Sequence, residues 1–178
     1  MTKRFDILHT PLNGLQVLNR KLISDDRGCL ERLFCNKEFQ ALAPGKNIAQ
    51  INRTLTVSRG TVRGFHFQRP PHAEIKFVSC LRGKVFDVAV DLRKSSPTFL
   101  CWHAEVLSDD NHRTLVIPEG FAHGFCSLSN NTIMHYKCTN YRDQGSETGI
   151  IWNDNEINIK WPIKNPILST KDKSNISF

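Results

Sequence analysis

The stretch Val85-Phe86-Asp87-Val88-Ala89-Val90-Asp91 decides the fold class, because its polarity changes with a period of two. In an extended strand Phe86, Val88 and Val90 share one face, and Asp87, Ala89 and Asp91 share the other. The first face reads as core. The second, with its two carboxylates, reads as either solvent-facing or the polar lining of a barrel mouth. Runs of the same kind recur on both sides of it. Ile48–Leu55, Thr61–Phe67 and Ile75–Leu81 come before; Phe99–Leu107, Thr114–Ile117, Gly124–Leu128, Thr132–Cys138 and Gly149–Trp152 come after. All are rich in β-branched and aromatic residues. Turn formers separate them: Arg82-Gly83, Ser96-Pro97, Asp109-Asp110-Asn111, Pro118-Glu119-Gly120 and Asn130-Asn131. Many short strands at such intervals predict an all-β sandwich, barrel or jelly roll. One short helix is expected over Asn36–Leu42, with Asn36 as N-cap and Pro44-Gly45 ending it. The tail, Lys171 to Phe178, reads as loose, with an ordered segment at its start as the alternative.

The 178 residues are one domain's worth, so a single domain over 1–178 is expected. No apolar run approaches the roughly 18 residues of a membrane span, and the first residues lack the apolar segment of a secretory signal. The six cysteines form no CxxC pair and mostly sit in apolar runs. That pattern suits small buried side chains in a reducing compartment, and a cytoplasmic location is expected. The net charge is +7, but the cations are scattered, with pairs such as Lys3-Arg4, Arg20-Lys21 and Arg93-Lys94 as the densest groups. A nucleic-acid surface would need a basic stripe with interleaved aromatics. A small anionic substrate needs only a few converging cations.

The segment Pro118-Glu119-Gly120-Phe121-Ala122-His123 reads as PxGxxH, a turn feeding a strand whose first inward side chain is a histidine. It resembles half of the cupin signature. The other half normally supplies HxH and a glutamate for a metal. Here Gly64-Phe65-His66-Phe67-Gln68 places Gln68 where the second histidine would stand, so a three-histidine, one-carboxylate site is incomplete. No metal is expected. A metal-dependent cupin enzyme with a site assembled from His66, His72, Glu74 and His123 is the alternative, and elemental analysis of protein purified without added metal separates the two.

Gly60-Thr-Val-Arg63-Gly-Phe-His66-Phe-Gln68 resembles the GTLRGLHFQ motif of the dTDP-4-dehydrorhamnose 3,5-epimerase family. Five further segments are similar and occur in the family's order: Val85 to Arg93 with Ser96-Pro-Thr-Phe99, Ile117 to Phe125, Tyr136-Lys-Cys-Thr-Asn-Tyr141, Ile151-Trp-Asn-Asp154 and Leu168-Ser-Thr-Lys-Asp172. The resemblance implies a double-stranded β-helix (a cupin-type jelly roll) with short flanking helices. It also implies an enzyme without cofactor or metal, usually a homodimer, acting on a nucleotide-linked 4-keto-6-deoxyhexose.

The chemistry fits those residues. A C4 ketone acidifies the hydrogens on C3 and C5; a base removes one, and a proton returns to the opposite face. By resemblance His66 is the base, a role suited to a side chain that titrates near neutrality. Asp172 accepts its second ring N–H and fixes the tautomer, and Tyr136 is the acid on the other face of the sugar. Lys76 and His123 stabilise the charge on O4. Arg63, Lys171, Arg27, Gln50 and Asn52 hold phosphates, sugar or base, with the Arg27 type of residue crossing to the partner subunit, and Glu147 matches a position near the sugar nucleotide. Taken singly, these residues have plainer readings: His66 as a core histidine, Tyr136 as a packing residue, Lys76 and Lys171 as solvated, Asp172 as surface decoration. His72, His103, His112 and His135 are read as structural or exposed.

The match departs from the family around the nucleotide. Leu30 and Arg32 stand where the family usually has Phe and Glu, Ile51 stands where Asp is frequent, and Arg142 stands where a second tyrosine often follows Tyr141. These departures suggest a base other than thymine, with GDP- or CDP-linked sugars as candidates, or a 4-keto heptose in place of the hexose. Beside the epimerase and the metal enzyme stands a non-catalytic sugar-nucleotide binder, for which tight binding without solvent-proton exchange would be the signature.

Overall fold

The computed structural model describes residues 3–178. Two antiparallel sheets face each other as a jelly roll. Thirteen strands run in the order β1 (Phe5–His9), β2 (Gln16–Arg20), β3 (Leu22–Asp25), β4 (Gly28–Glu31), β5 (Gln50–Thr56), β6 (Val62–Gln68), β7 (Lys76–Arg82), β8 (Lys84–Asp91), β9 (Trp102–Ser108), β10 (Arg113–Ile117), β11 (Phe121–Ser127), β12 (Thr132–Cys138) and β13 (Glu147–Gly149). The short helices α1 (Asn36–Gln40) and α2 (Thr170–Lys173) complete the list. The larger sheet has the order β1-β2-β10-β7-β12-β5, the smaller β13-β6-β11-β8-β9, and β3 and β4 form a separate hairpin.

The apolar side chains of both sheets meet between them. Leu15, Val78, Val85, Leu107, Leu115 and Met134 are fully buried there, and Tyr136 packs against this cluster. Each such side chain removed from water contributes about 1.5–3 kcal/mol. This packing closes one end of the roll and leaves the other open. Both outer faces are also covered. Phe5, Leu18, Phe39 and Phe77 bury the outside of the larger sheet beneath α1. Phe65, Val88, Val90, Ile150 and Ile157, with Trp161, bury the outside of the smaller one beneath the C-terminal segment.

That double cover decides between the two readings of β8. Asp87 and Asp91 do not face solvent; both are fully buried. Asp91 accepts from Arg93, Ser96 and Thr98, and despite burial those bonds hold its carboxyl well below the usual range. Asp87 faces the interior. The N-terminal strands β1 to β4 lack clear alternation and were not expected. The helix begins at Asn36, but its N-cap is Cys35, with no side-chain cap bond. The last strand lies at Glu147–Gly149 instead of Gly149–Trp152. The tail begins in an ordered segment, α2, and its end is not loose either: Ile176 bridges Ile150, and the Phe178 N–H donates to Asp154. All six cysteines are free; Cys80, Cys126 and Cys138 are buried as expected, whereas Cys29 and Cys101 are exposed. Among the described residues no helix is long and apolar enough to cross a membrane.

Candidate active site

A bulge on β6 builds the site. His66 pairs with His123 and Arg63 with Phe125, so two residues, Gly64 and Phe65, oppose the single Gly124. Strict alternation would send Arg63 and His66 to opposite faces. The extra residue brings both into one pocket. Gly64 makes this possible, with φ of +125° and space for no side chain: a Cβ there would lie 2.5 Å from the Gly124 Cα.

The pocket, about 490 Å³, opens between the two sheets at the unfilled end of the roll. That volume suits a small-molecule ligand. β5 contributes Gln50, Asn52 and Thr54; β7 contributes Lys76; β12 contributes Tyr136 and Cys138. From the facing sheet come Arg63, His66, Phe67 and Gln68 of β6, His123 and Phe125 of β11, and Glu147 of β13. Glu74, Arg142, Ser169, Lys171 and Asp172 complete the lining.

The C-terminal segment reaches the pocket by running alongside the start of β6. The Val62 N–H donates to the Ile167 carbonyl and the Ile167 N–H to that of Gly60. Ser169 then caps α2, accepting from the Asp172 N–H at 3.1 Å and donating its hydroxyl to Asp172 Oδ2 at 2.8 Å. The other carboxylate oxygen, Oδ1, lies 2.7 Å from His66 Nε2. Asp172 is 4% exposed. Burial alone would raise its pKa, but the bonds from His66 and Ser169 outweigh burial and hold it below the usual carboxylate value. A charged Asp172 accepts from Nε2–H, so in the neutral ring the lone pair sits on Nδ1.

Tyr136 approaches from the opposite sheet. Burial, and then the negative charge of Asp87, push its phenol well above the usual value, so it stays protonated as a donor. His123 Nε2 lies 3.0 Å from each oxygen of Asp87, whose carboxyl is raised by burial. Lys76 is not a free cation; its ammonium lies 3.3 Å from Glu74. Among the described residues no three His, Cys, Asp or Glu side chains converge where a metal could be held. Gln68 is spoken for: its amide donates to the carbonyls of His72 and Tyr141 and accepts from the Asp143 N–H.

Ten of the eleven residues expected from the sequence line this one pocket. Arg27 does not. It sits exposed at the turn of the β3–β4 hairpin, paired with Asp25 at 2.6 Å. Sequence reasoning missed Thr54, Cys138 and Ser169 as parts of the site; it noted Arg142 only as a departure near the nucleotide and left Asp87 between solvent and the barrel mouth. Asp87 was visible only as a polar break in an apolar strand, and Ser169 only as a capping residue three positions before Asp172.

The profile of the dTDP-4-dehydrorhamnose 3,5-epimerase family matches residues 9–178. A relative of that name from Shigella flexneri is 42% identical over 174 residues, covering 97% of this chain and 96% of its own. Among solved structures, the dTDP-4-dehydrorhamnose 3,5-epimerase of Bacillus anthracis, with TDP and pyrophosphate bound, superposes with a TM-score of 0.94 at 40% identity, covering 98% of this chain and 99% of its own. The dTDP-6-deoxy-D-glucose-3,5-epimerase of Legionella pneumophila, in complex with dTDP-4-keto-L-rhamnose, gives 0.92 at 37% identity, covering 97% and 92%. With these matches over nearly its whole length, the chain belongs to the dTDP-4-dehydrorhamnose 3,5-epimerase family.

Proposed function

We propose that this protein inverts C3 and C5 of a dTDP-linked 4-keto-6-deoxyhexose. One observation carries the reading: an oriented histidine base and a protonated phenol enter the same pocket from opposite sheets. Inversion needs that arrangement, because the proton leaves one face of the ring and returns to the other. His66 Nδ1 takes the proton from the carbon beside the ketone. The C–H electron pair moves into the enolate, with its charge on O4. Asp172 stabilises the imidazolium so formed. Lys76 and His123 supply positive charge and N–H groups toward O4, each of the order of 2.7–4 kcal/mol when well placed. Tyr136 then delivers its proton to the opposite face, and solvent resets both residues. Repetition at the second carbon completes the double inversion. Action at both carbons, over one alone, draws on the relatives named 3,5-epimerases.

Arg63, Lys171, Gln50, Asn52 and Glu147 line the pocket where they would bind the nucleotide part. Arg27 joins them only from a partner subunit, which fits a homodimer of 1–178 domains in the cytoplasm. The dTDP assignment draws on the relatives' names and bound ligands, against the GDP- and CDP-linked alternatives raised by Leu30, Arg32, Ile51 and Arg142.

Incubation in D2O with dTDP-, GDP- and CDP-linked 4-keto sugars, without added cofactor or metal, tests the proposal. Deuterium at both C3 and C5 of the dTDP sugar, read by NMR and mass, is the expected result. One labelled carbon would reduce the activity to a single epimerisation. Label only in a GDP or CDP sugar would overturn the nucleotide, and none at all from folded protein would overturn the enzyme reading.

A further inference from the structure

At the pocket rim, Glu147 grips two cations. Arg142 donates through Nε and Nη2 to Glu147 Oε2 at 2.9 and 2.7 Å, and Lys171 donates to Oε1 at 2.7 Å. The carboxylate lies behind, 14% exposed, while the two cations stand forward, at 61% and 53%. Burial alone would raise the Glu147 pKa, but the bonds from Lys171 and Arg142 outweigh it and hold the carboxyl below its ordinary value, so the bridge persists at neutral pH.

An exposed arginine is ordinarily a solvated side chain, and an exposed ion pair adds little stability. Arg142 differs in being anchored at both ends. Its backbone N–H donates to Gln50 Oε1 at 2.6 Å, and Gln68 holds the backbone of Tyr141 and Asp143 on either side. The guanidinium edge is fixed by Glu147, and Nη1 has no protein partner among the described residues. The value of this ordering is preorganisation for a ligand. Its charge is also apt: Arg63, Arg142 and Lys171 less Glu147 leave two positive charges, matching the two negative charges of a diphosphate diester. The resemblance places a tyrosine here in many family members, so this chain has exchanged a neutral ring for a cation at the mouth of the site.

We infer that Arg142 binds the substrate's diphosphate, as the partner of Lys171 across Glu147; the inference rests on the nucleotide-sugar reading above. Charge-assisted bonds from a planar guanidinium favour phosphate oxygens. The nucleobase is the competing ligand for this side chain, and a comparison of two nucleotides that share one base separates the two.

Calorimetric Kd values for dTDP and dTMP are measured on the full chain for wild type, Arg142→Ala and Arg142→Lys, with circular dichroism as a fold check. Arg142→Ala should weaken dTDP about tenfold, about 1.4 kcal/mol, and shrink the preference for dTDP over dTMP by a similar factor. Arg142→Lys, which keeps the charge but not the fork that spans Glu147 and phosphate, should recover only part of the preference. With the epimerase substrate, KM should rise while kcat holds. Equal loss on dTDP and dTMP would place Arg142 on the base, and unchanged affinity would make it a solvated side chain; either overturns the inference. Failure of the wild type to bind dTDP would instead remove the nucleotide-sugar reading, and the inference with it.

Discussion

Asp172→Asn replaces a buried carboxylate with its isosteric amide and leaves the packing of α2 untouched. The Ser169 hydroxyl, which donates to Oδ2 at 2.8 Å and already accepts from the Asp172 N–H, favours the amide oxygen on its side. The amide NH2 then faces His66 Nε2, where Oδ1 now lies at 2.7 Å. A donor facing Nε2 moves the ring proton to Nδ1, the nitrogen that must be bare to act as base. Two losses therefore combine. The charge-assisted bond to the imidazolium is worth about 1.5–3 kcal/mol, roughly a 10- to 150-fold effect, and the wrong tautomer adds to it. A fall in kcat of about 10³–10⁴ is expected, in line with what the same exchange costs where an aspartate orients a histidine base. The assay is the rate of deuterium wash-in at C3 and C5 under saturating substrate, with nucleotide affinity measured in parallel. A loss below about threefold, or a loss confined to KM, would refute the orienting role of Asp172.

Tyr136→Phe should leave deuterium exchange at the carbon facing His66 largely intact while abolishing net inversion; inversion at the wild-type rate would show that another group is the acid. Gly64→Ala places a methyl 2.5 Å from the Gly124 Cα at a φ of +125° and should cost about 2–4 kcal/mol. That lowers the Tm by roughly 5–15 °C, and an unchanged melting curve would mean the bulge relaxes freely. Lys137 is 3% exposed on the outer face of β12, and burial, then the charge of Arg20, push its pKa down to about 8. The unfolded chain keeps this proton up to about pH 10.5 while the folded chain releases it near 8, so stability should rise with pH between those values. Lys137→Met should remove that rise and gain about 1–3 kcal/mol at pH 7, visible in denaturant melts across pH; a destabilised variant would show that the ammonium has a stabilising partner.

The candidate catalytic set was legible only through the family resemblance, whose motifs lie in short, dense segments: Arg63 to Gln68, Tyr136 to Tyr141, Leu168 to Asp172. The middle strands were legible because β-branched alternation and turn formers punctuate them. The first strands were not. β3 and β4 are an exposed hairpin with little core to bury, so their sequence carries no apolar periodicity. Asp87 was left open between solvent and the lining of a barrel mouth, because a carboxylate in an alternating strand suits either; the structure places it inside. Its partner, His123, lies on a different strand, and no local signal joins the two.

By itself the sequence determined an all-β class and the strand-rich middle of the chain, which follow from period-two patterning, while its ordered motifs, by resemblance, pointed to the jelly roll and the residues for proton transfer. Only the tertiary structure decided which of those residues meet. The bulge at Gly64 turns Arg63 and His66 to one side, against the alternation their spacing prescribes. The C-terminal segment, unremarkable in composition, is carried alongside β6 until Asp172 lies against a histidine 106 residues away. The physical reason is common to both: register and long-range approach are set by close packing of distant backbone, which no window of neighbouring residues encodes.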